Sequence, residues 1–275
     1  YLVGRVAALN ALSDLWAMGS QPLGALALVT LPEGEPSPQT ELLYQVLAGG
    51  VRELTAAGAQ LWGGHTTQGA ELTIGYSVAG RLDDAPPFTK GNLQPGDRLI
   101  LTKPLGTGTL LAANRLGRCQ GRWMEGMLSR MLQGNGEAAR LAREFAVTAA
   151  TDVTGFGLAG HLLEMLDASR MSASLALGAI PLLEGFASLC QEFPSSLAAA
   201  NRGSETRLKV ATSSLCDEPP FQALFDPQTS GGLLIAAAAD RATALRDALA
   251  AQGLSSAIIG SVGPFREGPS LDITS

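Results

Sequence analysis

Short apolar runs that end at glycine, proline or an acid alternate with helix-period segments along the whole chain, and this alternation limits the fold more than any other feature. Residues 2–16 carry small and apolar side chains at helical spacing, and Met18-Gly19 ends the run. Residues 25–31 are apolar, close at Pro32, and read as a buried strand. Ser37-Pro38 predicts a helix start, with serine as N-cap and proline at the first position; the helix runs to about Ala57, where Gly58 stops it. Leu61-Trp62 reads as a short strand entering a Gly63-Gly64 turn, and residues 72–78 as a further strand.

The run Asp83-Asp84-Ala85-Pro86-Pro87 and the turn Gln94-Pro95-Gly96-Asp97 interrupt the pattern and predict a boundary near residue 92. The expected division is a nucleotide-binding and dimerising N-terminal domain over 1–91 and a C-terminal α+β domain over 92–275. The second part opens with a strand at 98–102 and a helix over 124–145, bent or broken near Gly134-Asn135-Gly136. A strand over 147–151 then leads into Asp152, and an amphipathic helix covers 157–168. Residues 191–222 read as a long loop, followed by a strand (232–238), a helix (239–252) and a last strand (256–262). The class is α/β or α+β.

Charged residues make up only 16% of the 275, beside 33 glycines, which favours a packed, turn-rich α/β protein over disorder. A net charge of −6 gives no footprint for nucleic acid. The scattered Cys119, Cys190 and Cys216 form no zinc or disulfide pattern, and a reducing cytoplasm is the simplest setting. No stretch reads as a membrane span or a signal segment, and the sequence lacks a Walker loop, a kinase glycine loop and a nucleophile elbow. Chemistry must then rest on carboxylates, a metal and backbone amides, or on residues outside the chain.

Four segments place an acid or a glycine run at the end of an apolar element. Asn10 and Asp14 are four apart and share one helix face; Asp14 either offers oxygen to Mg²⁺ or faces water or a neighbouring backbone. Gly63-Gly64-His65-Thr66-Thr67 is either an anion-binding nest or a plain glycine turn. Asp152, followed by Val153-Thr154-Gly155-Phe156-Gly157, reads as a metal ligand beside a positive helix start or as the N-cap of that helix, two roles that are compatible; His161, inside the helix, reads as a packed histidine. Asp226-Pro227-Gln228-Thr229-Ser230-Gly231-Gly232 is either a substrate-facing loop or a tight turn.

Together NALSDLWAMGSQP, GGHT at 63–66, LTKPLGTG at 101–108, TDVTGFGLAGHLLEM at 151–165 and DPQTSGGLL at 226–234 resemble selenophosphate synthetase (selenide, water dikinase), in the order and spacing of that family. Looser versions occur in aminoimidazole ribonucleotide synthetase, thiamine-monophosphate kinase and the hydrogenase-maturation dehydratase. The resemblance implies the two-domain aminoimidazole ribonucleotide synthetase-like fold, a homodimer paired through N-terminal strands, and ATP in a cleft between the domains. It implies Asp14 and Asp152 as Mg²⁺ ligands, with Asp14 also against the ATP phosphates. Gly64, His65 and Thr66 would line the nucleotide across the dimer, and Asn10 would support Asp14. The implied reaction turns selenide, ATP and water into selenophosphate, AMP and phosphate; a monovalent cation is a further cofactor it allows. The family's catalytic cysteine or selenocysteine, lysine and further aspartates precede the point where this chain starts at Tyr1. The N-terminal domain is therefore expected to be incomplete, and the chain alone inactive or nearly so. A different ATP-dependent enzyme of the superfamily, thiamine-monophosphate kinase-like, and a non-catalytic nucleotide-binding dimerisation module are the competing readings.

Overall fold

A computed structural model describes residues 1–82 and 84–275; Asp83, the first residue of the expected break, lies outside the described residues. Helix α1 (Leu2–Ala17) is followed by β1 (Gln21–Pro32), α2 (Pro36–Ala56), β2 (Gln60–Gly69) and β3 (Thr73–Arg81). Next come β4 (Arg98–Leu101), α3 (Thr107–Arg115), α4 (Gly121–Met131), α5 (Gly136–Glu144), β5 (Ala149–Asp152), α6 (Gly157–Ser169) and β6 (Ser172–Ala176). Short pieces α7 (Phe186–Leu189), α8 (Ala198–Asn201), β7 (Leu208–Val210) and α9 (Pro219–Ala223) lead to β8 (Leu233–Ala237), α10 (Ala239–Ala251), β9 (Ala257–Gly263) and β10 (Leu271–Thr274).

The first sheet has the order β2-β1-β3, with β2 parallel and β3 antiparallel to β1. Alternation along β1 drives Ala27, Val29 and Leu31 into a core lined by α2 residues such as Leu43 and Leu47. Leu26 and Leu28 point to the opposite face and stay exposed. Helices α1 and α2 lie side by side, joined by an ion pair between Arg5 and the buried Glu53.

Two local expectations fail here. Helix α2 starts at Pro36 with Glu35 as its N-cap, and Ser37 lies inside the first turn without a capping bond. Pro36 and Pro38 carry no N–H, so the helix start has fewer free amides to satisfy. The expected Gly63-Gly64 turn is also absent, because β2 continues through it. The register slips by one residue between Ala25/Leu61 and Leu26/Gly63, and Trp62 is the extra residue of a β-bulge. Gly64 has φ +155°, and a Cβ there would sit 1.9 Å from the Ala27 carbonyl oxygen.

The second sheet has the order β5-β8-β4-β9-β6-β10-β7. Its pairs are antiparallel from β5 to β6, whereas β10 runs parallel to both β6 and β7. The helix expected over 124–145 is two helices, α4 and α5, separated at Gly134-Asn135. The loop expected over 191–222 contains α8, β7 and α9, and strands β6 and β10 lie outside every predicted element. Among the described residues no helix is long and apolar enough to cross a membrane.

One buried cluster joins the two sheets. It combines Leu9, Leu12 and Trp16 of α1 with Ile100 of β4, Ala150 of β5, and Leu233 and Ile235 of β8. Helix α1 is therefore packed on the large sheet as well as on α2, and this packing carries Asp14 toward the end of β5. Leu12 is fully buried at that contact. Leu12→Ala is expected to cost about 2–5 kcal/mol of stability, read by thermal or denaturant unfolding; a loss below about 1 kcal/mol would contradict the packing of α1 into this core.

Candidate functional site

Helix α1 buries Leu9, Leu12 and Trp16 and turns Asp14 outward, while Asn10 lies one turn earlier, half-buried. Asp152 is the last residue of β5 and is buried. The two acids come from opposite halves of the chain yet act on each other. The Asp14 carboxyl is raised above its ordinary value by partial desolvation and then by the Asp152 carboxylate, with the Lys90 ammonium opposing. Among the described residues no cluster of three or more His, Cys, Asp or Glu side chains is poised for a metal. A pair is a fitting donor set for Mg²⁺, which keeps several waters and binds through one or two carboxylates plus substrate phosphates.

Behind the pair lies a buried polar junction centred on Ser230. Its N–H donates to Asn10 Oδ1 (2.9 Å), its Oγ donates to the Met131 carbonyl (2.7 Å), and its carbonyl accepts from Lys103 Nζ (2.8 Å). Ser230 holds φ +50°, a strained value for a non-glycine residue that these three bonds enforce. Lys103 is only 2% exposed; burial lowers its ammonium to about 7, against the pull of Asp152. Asn135 Nδ2 donates both to Ser13 Oγ and to the Gly231 carbonyl, each at 2.9 Å. Sequence reasoning assigned no role to Lys103, Asn135 or Ser230. Their signal was present only as membership of the LTKPLGTG and DPQTSGG stretches and as the glycine-flanked break between α4 and α5.

The alternatives for the 226–232 segment resolve toward a clamp. Asp226 accepts from Thr109 Oγ1 (2.8 Å), the Gly108 amide (3.1 Å) and Gln228 Nε2 (2.9 Å). Gln228 Oε1 accepts from the Gly106 and Thr107 amides at 3.0 and 3.2 Å. These two side chains satisfy the start of α3, whose own N-cap, Gly106, offers no side chain.

At α6 the N-cap is Phe156, so Asp152 does not cap the helix. The Ala159 amide is taken by the Leu224 carbonyl (2.9 Å), which narrows the helix start that was expected to face phosphate. His161 is buried, with Nε2 3.2 Å from Thr154 Oγ1 and Nδ1 3.5 Å from Glu164, and burial lowers its pKa. Glu164 is also paired with Lys90 at 2.7 Å. Burial pushes the Cys119 and Cys190 thiols up, away from the thiolate form. Gly64, His65 and Thr66 sit exposed on the outer strand β2, and no side-chain bond among the described residues ties them to either acid. Two surface clefts, of about 380 and 310 Å³, are lined by other residues, around Arg170 and around Trp123.

A model of the AIR synthase related protein, C-terminal domain, matches residues 94–268, and one of the N-terminal domain matches residues 1–82. The selenide, water dikinase of Desulfitobacterium hafniense is 41% identical over 98% of this chain and 77% of its own length. That of Trichlorobacter lovleyi is 39% identical over 97% of this chain and 76% of its own. Among solved structures, thiamine-monophosphate kinase from Stenotrophomonas maltophilia aligns with a TM-score of 0.74 at 20% identity, covering 98% of this chain and 79% of that one. A hydrogenase maturation protein HypE in complex with ATP aligns at 0.66 and 18%, covering 98% and 75%. At such identities these structures speak for the fold alone.

Burial pushes the Asp226 carboxyl up to about 6, from an ordinary 3.8, despite its hydrogen bonds. Between those values the folded protein keeps a proton that the unfolded chain releases, so stability falls as the pH rises through the window and levels off above it. Asp226→Asn is expected to flatten that slope while lowering stability near neutral pH, because its amide N–H₂ meets the Gln228 donor. Denaturant midpoints followed from about pH 4 to pH 7 read both effects; an unchanged slope in the variant would assign the titration elsewhere.

Proposed function

The chain belongs to the selenide, water dikinase family of AIR synthase-related proteins, and on that premise we propose that Asp14 and Asp152 together hold the Mg²⁺ of its ATP-dependent phosphoryl transfer. Selenophosphate synthesis is the activity its relatives carry, at 41% identity over nearly the whole chain; the thiamine-monophosphate kinase reading has only a fold likeness at 20% identity behind it. The observation that carries the site is the packing of α1 against β5 in one buried cluster, which brings the helix of Asp14 to the strand that ends in Asp152; the raised Asp14 carboxyl agrees with it.

Bound Mg²⁺ would neutralise part of the triphosphate charge and orient the transferring phosphoryl group. Asp14 reaches outward from a helix anchored in the core, where a carboxylate can meet both a cation and solvent-borne nucleotide. Asp152 is held by its strand pairing to Leu233. Lys103 lies buried within reach of Asp152, and in its protonated form it offsets the charge of that acid. Asn10 fixes Ser230 and hence Lys103, a supporting role for Asp14's helix face.

Gly64, His65 and Thr66 we assign to the nucleotide site of a second copy. Their support is the exposed face beside them: Leu26, Leu28 and Trp62 are 45%, 56% and 53% exposed, a cluster of apolar side chains that a homodimer would cover. The three free cysteines fit a cytoplasmic setting.

Titration with Mn²⁺ in the presence of ATP tests the acid pair. Asp14→Asn and Asp152→Asn are each expected to weaken binding about tenfold or more, and parental affinity should fall with pH through a window above the ordinary carboxylate range, since protonated Asp14 cannot ligate. Unaltered binding in both variants would remove the assignment. Any turnover of ATP and selenide by the chain is expected to appear as selenophosphate, AMP and phosphate by ³¹P spectroscopy, with robust turnover overturning the expectation that the chain alone is nearly inactive, and phosphorylation of thiamine monophosphate instead would move the chain to another branch. Leu28→Glu is expected to convert a dimer to a monomer in light scattering; a dimer that survives it would place the interface elsewhere.

A further inference from the structure

We propose that Asn135 is a positioning residue that sets the spacing between the Asp14 and Asp152 carboxylates, an inference that rests on the two-acid reading above. The acids stand on separate elements, so neither α1 nor β5 alone determines how far apart they lie. A short chain of bonds does. Asp152 pairs with Leu233 in the sheet, and the Val153 amide donates to the Gly232 carbonyl at 2.9 Å. The next residue, Gly231, offers its carbonyl to Asn135 Nδ2, and the same nitrogen donates to the hydroxyl of Ser13, which immediately precedes Asp14. A single amide group thus spans from the segment locked to Asp152 to the residue beside Asp14.

Three observations show that the side chain is committed to this bridge. Asn135 occupies the N-cap of α5, where asparagine ordinarily bonds an amide of the first turn, yet it makes no such bond. Its Oδ1 is buried without a hydrogen-bond partner among the described residues. Turning the amide over would not help, because Oδ1 would then face the Gly231 carbonyl. The side chain therefore forgoes its local partner and keeps both long-range ones. The backbone there is held against α1 as well, since the Trp16 ring lies against Gly134 and Gly136.

The test is Mn²⁺ affinity in the presence of ATP, followed by electron paramagnetic resonance on the intact chain. Asn135→Ala is expected to weaken Mn²⁺ binding about tenfold, and Asn135→Ser to recover part of the loss; the serine variant also decides the matter if the alanine variant does not fold. Leu249→Ala, in the core beneath α10, serves as a control for lost stability and is expected to lower the melting temperature while binding Mn²⁺ as the parent does. Affinity within about twofold of the parent in both Asn135 variants, alongside a lowered melting temperature, would reduce Asn135 to a packing role and overturn the inference. Equal weakening by Leu249→Ala would do the same. If Asp14→Asn itself leaves Mn²⁺ binding unchanged, the two-acid reading fails and takes the inference with it, an outcome distinct from loss in Asp14→Asn without loss in Asn135→Ala.

Discussion

The close passage of residues 230–232 between α1 and the ends of β4 and β5 is the constraint on which the remaining geometry depends. A Cβ at Gly231 would lie 1.9 Å from the Val153 carbonyl oxygen, so backbone meets backbone with no side chain between them. On one side this strip continues into β8, which runs between β5 and β4. On the other it is bonded by Asn10 and Asn135. Buried polar groups in such a place must all be paired, because each unpaired one carries a desolvation cost. Along this strip nearly all are among the described residues, and Asn135 Oδ1, which is not, marks the point where two sets of bonds compete for one side chain.

Charge around the site follows from the same arrangement. Asp14 stands exposed and Asp152 buried, with Lys103 inside the protein and Lys90 toward solvent. Lys90 is paired with Glu164, which also lies near His161, so the outer cation is shared among several groups. Lys103 has a carbonyl as its hydrogen-bond partner, and burial accordingly favours its neutral form. The result is a shallow acidic pair over a buried base, a distribution suited to a divalent cation that arrives with its own anionic ligand.

Much of the architecture was legible because it is local. The helices read over 2–16 and 157–168, the 25–31 part of β1 and the strand–helix–strand run after 232 announce themselves by periodicity and by glycine or proline at their ends. What was illegible depends on partners far away in sequence. Helix α3 has no capping residue of its own and takes its caps from Asp226 and Gln228, and only their bonds show why it starts at Thr107. Strands β6, β7 and β10 have five residues or fewer and exist because they pair with one another. The bulge at Trp62 looked like a turn since two glycines permit either, and the choice is made by the register of β1. Asp14 and Asp152 entered as candidates from local pattern and family likeness; that they influence each other is visible only once α1 is packed on the large sheet.

The strand order has a consequence for how the protein comes into being. Leu233 of β8 bonds the Thr102 hydroxyl from 131 residues further along the chain, and β8 is the strand that separates β4 from β5. During synthesis β4 and β5 emerge long before the segment that joins them, so each waits with unpaired edges. Pairing over such sequence separations is slow. Asp152 therefore reaches its place late, when most of the polypeptide has already left the ribosome, and the nascent protein passes through a long interval in which its sheet is open to wrong partners.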